Sequence, residues 1–383
     1  MYDINLLNKI SPAGLAYLDP QCQVSDNAPN GIIVRSADMA DYDFNLELYA
    51  IARAGAGYNN IPVDACSEKG IVVFNTPGAN ANAVRELVLC ALLLSSRRIV
   101  EAIDWCKALA GDPDALKKVE KGKSQFIGPE ISGKTLGVIG LGRVGVLVAN
   151  AAVDLGMNVL GYDPYLSVQS AWSLARRIRR AESYDEIYEN CDYITVHAPL
   201  TPETQDLICA ATLAKMKYGV RIINLARGGL VNNADIKEAL ASGKVAKYVT
   251  DFPTGDIIGF ENVIAMPHLG ASTPESEENC AVMASQQISD FLLTGNITNS
   301  VNFPQMVQPL NTDFRITVLH RNIPNIISFV TGIIGAQGIN IEHLYTSSRG
   351  AYAYMMIDTN TQPDPACIEK LKQNDGVLRV RVI

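Results

Sequence analysis

The sequence predicts an α/β protein with two doubly wound parallel-sheet domains followed by a small C-terminal unit of βαββαβ order. Three observations carry this. Strand signals alternate with helix signals over the first 80 residues and again from Thr135 to Met266, the pattern of parallel sheets with crossover helices. The stretch from Thr135 to Asp163 reads as strand, glycine turn, helix, strand. Residues 315–383 form a separate run in which two strands and two helices are arranged around a central strand pair, the ferredoxin-like order.

Composition bounds the class. At 383 residues the chain is long enough for two or three domains, and 48% apolar with 19% charged residues is globular usage. The net charge of −8 has no basic block, which argues against nucleic acid as a partner. The longest apolar run, Leu87 to Leu94, is far short of the ~20 residues a membrane span needs. Met1 to Pro12 lacks the cationic start and apolar core of a signal peptide. The eight cysteines include no CxxC pair, and they read as reduced, buried residues of a cytoplasmic protein. No metal site is evident.

In the first unit, Ile4 to Asn8, Gly31 to Arg35, Leu48 to Ala54 and Ile71 to Asn75 read as strands, with a short helix over Pro62 to Lys69. Asn82 is placed to cap a long helix running to about Leu109. The glycine-punctuated stretch follows. Gly140 suits a tight turn, Gly142 a close approach of backbone to pyrophosphate, and Gly145 the packing of helix on strand. Arg143 and Val144 start a helix whose N-terminus offers free N–H groups and a positive dipole end to phosphate. Asp163, at the end of the second strand, can accept from ribose hydroxyls and would repel a 2′-phosphate. The segment therefore predicts a dinucleotide-binding fold of Rossmann type that takes NAD rather than NADP.

Further strands end at His197-Ala198-Pro199, at Ala226-Arg227, at Asp251 and at Pro267-His268. Ligands of such sheets lie beyond the carboxyl ends of the strands. Thr273-Pro274 reads as the start of another long helix closed by Gly295, and 301–314 as a polar linker. The domains expected are a substrate domain over 1–93 and 276–300, a nucleotide domain over 94–275, and the C-terminal unit over 315–383. Oxidation of a secondary alcohol by a nicotinamide needs a base, a cation for the substrate anion and a group that tunes the base. Histidine, arginine and a carboxylate suit these roles.

The segments GLGRVG, HAPLTPET, NLARGGLV and PHLGAST, with GAGYNNIPVDACSEKGIVVFNTPGANANAV and the C-terminal βαββαβ unit, resemble the D-isomer-specific 2-hydroxyacid dehydrogenases. The likeness runs to members with a C-terminal ACT domain that oxidise 3-phosphoglycerate to 3-phosphohydroxypyruvate, the first step of serine synthesis. It implies His268 as general base and Arg227 as anchor of the substrate carboxylate. It sets His197, Ala198, Pro199, Ala226 and Asp251 on the cofactor side, His197 having a structural role as the alternative. It gives Arg35 and Arg53 to the substrate phosphate, and Asn80 and Ala81 to the loop facing substrate. The family glutamate that follows an Asp-x-Phe-Pro stretch is the departure. Here the run is Asp251-Phe-Pro-Thr-Gly-Asp256, so counting from proline gives Gly255 and counting from Asp251 gives Asp256, the candidate acid.

In the last domain the resemblance implies a site for L-serine formed by His320, Asn322 and Asn340 between paired ACT domains. Asn325 stands where such domains often have glycine, and its side chain is expected to crowd the ligand. A homodimer or homotetramer is implied. Two readings compete with phosphoglycerate oxidation: a hydroxypyruvate or glyoxylate reductase, and a catalytically idle sensor of NAD or an amino acid.

Overall fold

The computed structural model describes residues 1–383. Two compact units are present, Met1–Asn80 with Pro274–Ile383, and Ala81–Thr273.

In the first unit, five parallel strands pair in the order Cys22–Val24, Tyr2–Leu6, Gly31–Val34, Ala50–Arg53, Val72–Phe74. This doubly wound order places the strand carboxyl ends on one edge. The central strands Gly31–Val34 and Ala50–Arg53 are near-continuously apolar because both faces are covered. Ile32, Val34 and Ile51 pack on one side with Met39 and Leu48, while Ile33, Ala50 and Ala52 pack on the other with Ala281, Ala284 and Ile288 of the helix Pro274–Thr294. That helix ends where expected, at Gly295 with φ +77°. The short edge strand Cys22–Val24 escapes the sequence reading, since two of its three residues are exposed and no apolar run marks it.

The chain's last part is a four-stranded antiparallel sheet in the order His343–Arg349, Tyr352–Thr359, Phe314–Arg321, Val377–Val382, with helices Ile326–Ala336 and Pro365–Lys372. Successive side chains of a strand point to opposite faces, and both faces are used. Ile316, Val318, Met355 and Ile357 pack with Val330, Ile334 and Leu371 of the helices. Leu319, Tyr354 and Met356 join the cluster of Ile4, Phe74 and Phe291. Arg381 lies between the rings of Tyr49 and Phe291, 4.5 and 5.0 Å from their centroids, and donates to Leu292 O at 2.6 Å.

One ion pair ties this sheet down. Arg315 and Asp358 are fully buried, and the guanidinium meets the carboxylate bidentately, at 2.6 and 2.9 Å. Its remaining N–H groups donate to Thr294 O, Gln308 O and Pro309 O. The end of the long helix, the linker and the sheet thus share one cation.

In the second unit, seven parallel strands follow the order Val263–Ala265, Val245–Thr250, Val220–Asn224, Tyr193–Val196, Thr135–Ile139, Asn158–Tyr162, Arg179–Arg180. The order reverses between Thr135–Ile139 and Tyr193–Val196, and a crevice opens at such a switch point.

The long helix expected from Asn82 to Leu109 is divided. It runs from Ala81 to Arg97, Arg98 takes the left-handed conformation (φ 45°, ψ 38°), and a second helix covers Ile99–Lys107. The Ser95 and Ser96 hydroxyls both donate to Leu92 O at 2.9 Å, and such back-bonding weakens the helical ladder. The helices Ile99–Lys107 and Ala115–Gly122 have no buried residue. The first of them is held to the sheet by the Lys247–Glu101 pair. All eight cysteines are free, and Cys90 and Cys106 are exposed rather than buried. No helix is long and apolar enough to cross a membrane.

Removing one partner of a buried ion pair strands the other charge, at a cost of about 3–5 kcal/mol. Asp358→Asn is expected to lose that much in urea unfolding. The double change Arg315→Met with Asp358→Leu is expected to recover most of it. Equal instability of single and double variants would show that the pair is not the fastening.

Candidate active site

The glycine turn is built as its sequence requires. Gly140 has φ +89°, and a Cβ there would lie 2.7 Å from the His197 carbonyl oxygen. A Cβ on Gly145 would sit 1.9 Å from Gly140 O, so the helix Arg143–Asp154 can rest on the turn only without one. At Gly142, its N-cap, a Cβ would meet nothing within 4 Å. That opening is what close approach by a pyrophosphate demands. Arg143 and Val144 lead into the helix N-terminus.

Asp163 receives Leu141 N–H on Oδ2 and Tyr165 N–H on Oδ1, both at 2.8 Å. The carboxylate is thereby fixed against the turn. Beside it is a cavity of about 330 Å³ with Leu141, Gly161, Leu174 and Ile178 in its walls and Arg179 and Arg180 at its rim. Its size and apolar walls suit a nucleobase, so these residues fit a dinucleotide.

The next strand ends bring the remaining residues to the same edge. His197 N–H donates to Ile139 O at 2.7 Å, and Nε2 pairs with Thr195 Oγ1 at 3.1 Å. Burial of this ring pushes its pKa down to about 4, so it is neutral at physiological pH. Ala198 and Pro199 continue into a turn closed by Thr204 Oγ1 on Pro199 O.

Buried Asn224 holds the following loop: its Oδ1 accepts from Ala226 N–H and its Nδ2 donates to Arg227 O. Arg227 itself is exposed, with Nη1 on Ala226 O at 2.7 Å. The sequence reading passed over Asn224, although an amide ending an apolar strand is a signal that a loop is being anchored.

Asp251 is 1% exposed and accepts Gly270 N–H on Oδ2 at 3.0 Å, while Oδ1 is buried and makes no well-formed hydrogen bond. Burial raises its pKa; the Gly270 N–H and then the charge of His268 oppose that rise. His268 is exposed and lies over Phe252, ring centroids 4.3 Å apart.

Asp256 is elsewhere engaged. Its carboxylate takes Lys237 Nζ at 2.8 Å and Thr254 Oγ1 at 2.5 Å, on the surface, and those contacts hold its pKa below the usual range. It is not brought to the His268 ring, contrary to its candidacy as the tuning acid. Lys237 and Thr254 hold the carboxylate at the surface instead. Arg227, Asp251 and His268 follow strand ends on one sheet edge, and Asp256 is bound by Lys237 and Thr254 rather than by His268.

In the first unit, Arg35 and Arg53 are neighbours at adjacent strand ends. Asn8 Oδ1 caps three consecutive N–H groups, those of Arg35, Ser36 and Ala37. Arg53 Nε donates to Arg35 O at 3.0 Å, and Arg35 Nη2 pairs with Glu277 at 2.7 Å. Asn80 closes the loop after Val72–Phe74, and Ala81 opens the helix of the second unit.

In the C-terminal sheet, His320 and Asn322 line a cavity of about 430 Å³ with Asn325, Ser328, Thr346 and Ser348. His320 is 4% exposed, with Nδ1 on Arg321 O and Nε2 buried and unpartnered. Asn325 adopts φ +70°, a conformation asparagine tolerates better than most residues. Asn340 bonds Glu342 instead and is not in this cavity.

Glycine turn and strand-end carboxylate define a fold of the dinucleotide-binding class. Residues 89–270 match the family model described as D-isomer specific 2-hydroxyacid dehydrogenase, NAD binding domain. The second unit carries the NAD-binding domain of the D-isomer-specific 2-hydroxyacid dehydrogenase family. Among relatives is D-3-phosphoglycerate dehydrogenase of Methanocaldococcus jannaschii, 38% identical over 268 residues, 68% of this chain and 49% of that protein. The Rattus norvegicus enzyme of the same name is 37% identical over 284 residues, 71% of this chain and 50% of the relative. The chain thus spans about half the length of these curated relatives. The NAD⁺-bound 3-phosphoglycerate dehydrogenase structure from Entamoeba histolytica superposes with a TM-score of 0.61 at 27% identity, covering 79% of this chain and 98% of that one. D-mandelate dehydrogenase of Rhodotorula graminis shares the fold, with a TM-score of 0.66 at 24% identity over 80% of this chain and 99% of that one.

His197 gives a test of this geometry. Its pKa is about 4 when folded and about 6.5 when unfolded, so the unfolded chain binds the extra proton between those values. Its contribution is complete above the unfolded value and is lost as pH falls toward the folded one, by about 3 kcal/mol. Urea unfolding at neutral and acid pH is expected to show a shallower acid loss in His197→Asn than in the parent. Parallel losses would mean the ring is solvated.

Proposed function

We propose that the chain oxidises 3-phospho-D-glycerate to 3-phosphohydroxypyruvate with NAD, the entry step of serine synthesis, in the cytoplasm. The observation that carries this reading is the presence of Arg227 and His268 beyond strand ends on the same sheet edge as the glycine turn, in a chain 35–38% identical to enzymes named for that reaction. Residues 1–93 with 276–300 serve as substrate domain, 94–275 as nucleotide domain, 301–314 as linker and 315–383 as a regulatory ACT domain.

Gly140, Gly142, Arg143, Val144 and Gly145 hold the pyrophosphate, and Asp163 the adenosine ribose, excluding a 2′-phosphate. Ala198, Pro199 and Ala226 border the cofactor, and the neutral His197 stiffens that border. NAD, when bound, supplies the acceptor for the hydride that leaves C2. Arg227 holds the substrate carboxylate through its planar fork. The imidazole of His268 takes the 2-hydroxyl proton on a ring nitrogen, and Phe252 restricts the ring's rotation. Arg35 and Arg53 hold the phosphate, with Asn80 and Ala81 on the substrate-facing loop.

Two further parts of the reading rest on separate observations. The unpartnered Nε2 of His320, in a polar cavity with Asn322, suits the ammonium or carboxylate of L-serine as effector, with Asn340 supplied by a second ACT domain. The exposed Ile99, Val100, Ile103 and Leu116, on two helices with no buried residue, suit burial against a second copy in a homodimer or homotetramer.

One observation favours a glyoxylate or hydroxypyruvate reductase instead: Glu277 already occupies Arg35. NADH oxidation with 3-phosphohydroxypyruvate, hydroxypyruvate and glyoxylate separates the two. The phosphorylated oxoacid is expected to be preferred. Arg53→Ala is expected to raise its KM about 10- to 100-fold, the worth of one or two charge-assisted hydrogen bonds, with little change for hydroxypyruvate. Equal losses on both substrates would favour the reductase. Calorimetry with L-serine is expected to give heat that His320→Ala abolishes; no heat from the parent would remove the effector role.

A further inference from the structure

The dehydrogenase reading leaves His268 without the acid that the family supplies. Counted from the proline, the position is Gly255, which has no side chain. Counted from Asp251, it is Asp256, whose oxygens are bound by Lys237 and Thr254. A base that must carry a positive charge during turnover, with no counter-charge, works against its own product. A second carboxylate is nevertheless present on the other side of Phe252.

Asp251 is 1% exposed, yet only Oδ2 is satisfied, by Gly270 N–H at 3.0 Å. Oδ1 is buried and makes no well-formed hydrogen bond, although the N–H groups of Leu269 and of Asp251 itself also face the carboxylate. Leaving a charged acceptor poorly satisfied in the interior costs several kcal/mol unless a cation offsets it. Two titratable groups act on this carboxylate. One is His268, whose charge favours the ionised form; the other is the Tyr248 phenol, which burial keeps protonated. The backbone places the groups together for a local reason. Gly270 N–H holds Oδ2 only two residues after His268, Met266 N–H donates to Thr250 O at 2.9 Å, and Phe252, next to Asp251, lies against the histidine ring. Asp251 and His268 are therefore carried on adjoining segments tied to one another.

We propose that Asp251 has taken over the part of the missing glutamate and is the positioning residue that supplies the counter-charge to His268. It also bears on cofactor orientation, but its influence on the proton transfer runs through the histidine. The ionised carboxylate stabilises the imidazolium that forms when the substrate hydroxyl loses its proton. In the reverse direction it retains the proton that the oxoacid must receive. The shortened loop before Phe252 is then compensated rather than disabling.

The inference rests on the dehydrogenase reading, and one experiment separates the two. The pH profile of kcat/KM for NADH-dependent reduction of 3-phosphohydroxypyruvate is recorded for the parent, Asp251→Asn and Asp256→Asn, with melting curves as a check of folding. The descending limb is expected to move to lower pH by about one unit in Asp251→Asn, the scale of a nearby opposite charge, with the limb of Asp256→Asn unmoved. A limb that moves in Asp256→Asn, or that stays put in Asp251→Asn while only the KM for NADH rises, would overturn the proposal and leave Asp251 a purely cofactor-side group. Should Asn in this buried site prevent folding, the smaller Asp251→Ser is expected to show the same displacement, and the same unmoved limb would count against it. No turnover of any oxoacid by the parent would defeat the dehydrogenase reading itself.

Discussion

Everything in the second unit depends on a contact that exists because an atom is missing. The helix Arg143–Asp154 sits on the carbonyl of Gly140 at a separation that a single Cβ on Gly145 would forbid. That seat sets the helix N-terminus above the strand end. It brings Leu141 N–H to Asp163 and packs the turn against the backbone of His197. The strand ends beyond, carrying Arg227, Asp251 and His268, are aligned on this edge by parallel pairing in register with Thr135–Ile139 and Tyr193–Val196. A chain with the same strands and a bulkier residue at that one position would have to lift the helix, and the binding edge would open with it.

Much of this was legible in the residues themselves, for identifiable reasons. Buried parallel strands are apolar on both faces, so Tyr193–Val196 and Thr135–Ile139 stand out with nearly their final boundaries. Glycines announce the turn because only they tolerate its geometry. What was illegible was decided by partners distant in sequence. Arg98 interrupts a helix that periodicity alone would continue. Cys22–Val24 is a strand only because Tyr2–Leu6 offers it an edge. The acid was the hardest case. Spacing along the chain put Asp256 forward, but Lys237, 19 residues away in sequence, draws that side chain to the surface. Asp251 looked like a cofactor contact, and nothing in the sequence reveals that one of its oxygens makes no well-formed hydrogen bond.

The unit built from both ends of the chain solves a different problem. Its five-stranded sheet and the C-terminal four-stranded sheet come from segments more than 200 residues apart, and apolar burial alone is non-directional. Direction is supplied by cations with apolar stems. Arg315 grips helix end and linker while paired with Asp358. Arg379 donates to Leu46 O and Lys69 O, and Arg321 meets Glu68 beside the Tyr352 hydroxyl. Each guanidinium supplies several fixed hydrogen-bond vectors, so sliding one sheet over the other would break them all at once.

The two-faced use of the C-terminal sheet has a consequence for how the chain is inherited. An accessory domain that keeps its own core to itself can be gained, lost or exchanged between proteins with little penalty to its host. Here Tyr354, Met356 and Leu319 belong to the same apolar cluster as Phe74 and Phe291, and the C-terminal strand supplies the arginine between Tyr49 and Phe291. Cutting it away would leave the remaining sheet with an uncovered apolar face rather than restore an ancestral surface. The two sheets share one apolar cluster, so removing the C-terminal sheet takes part of the core of the five-stranded sheet with it.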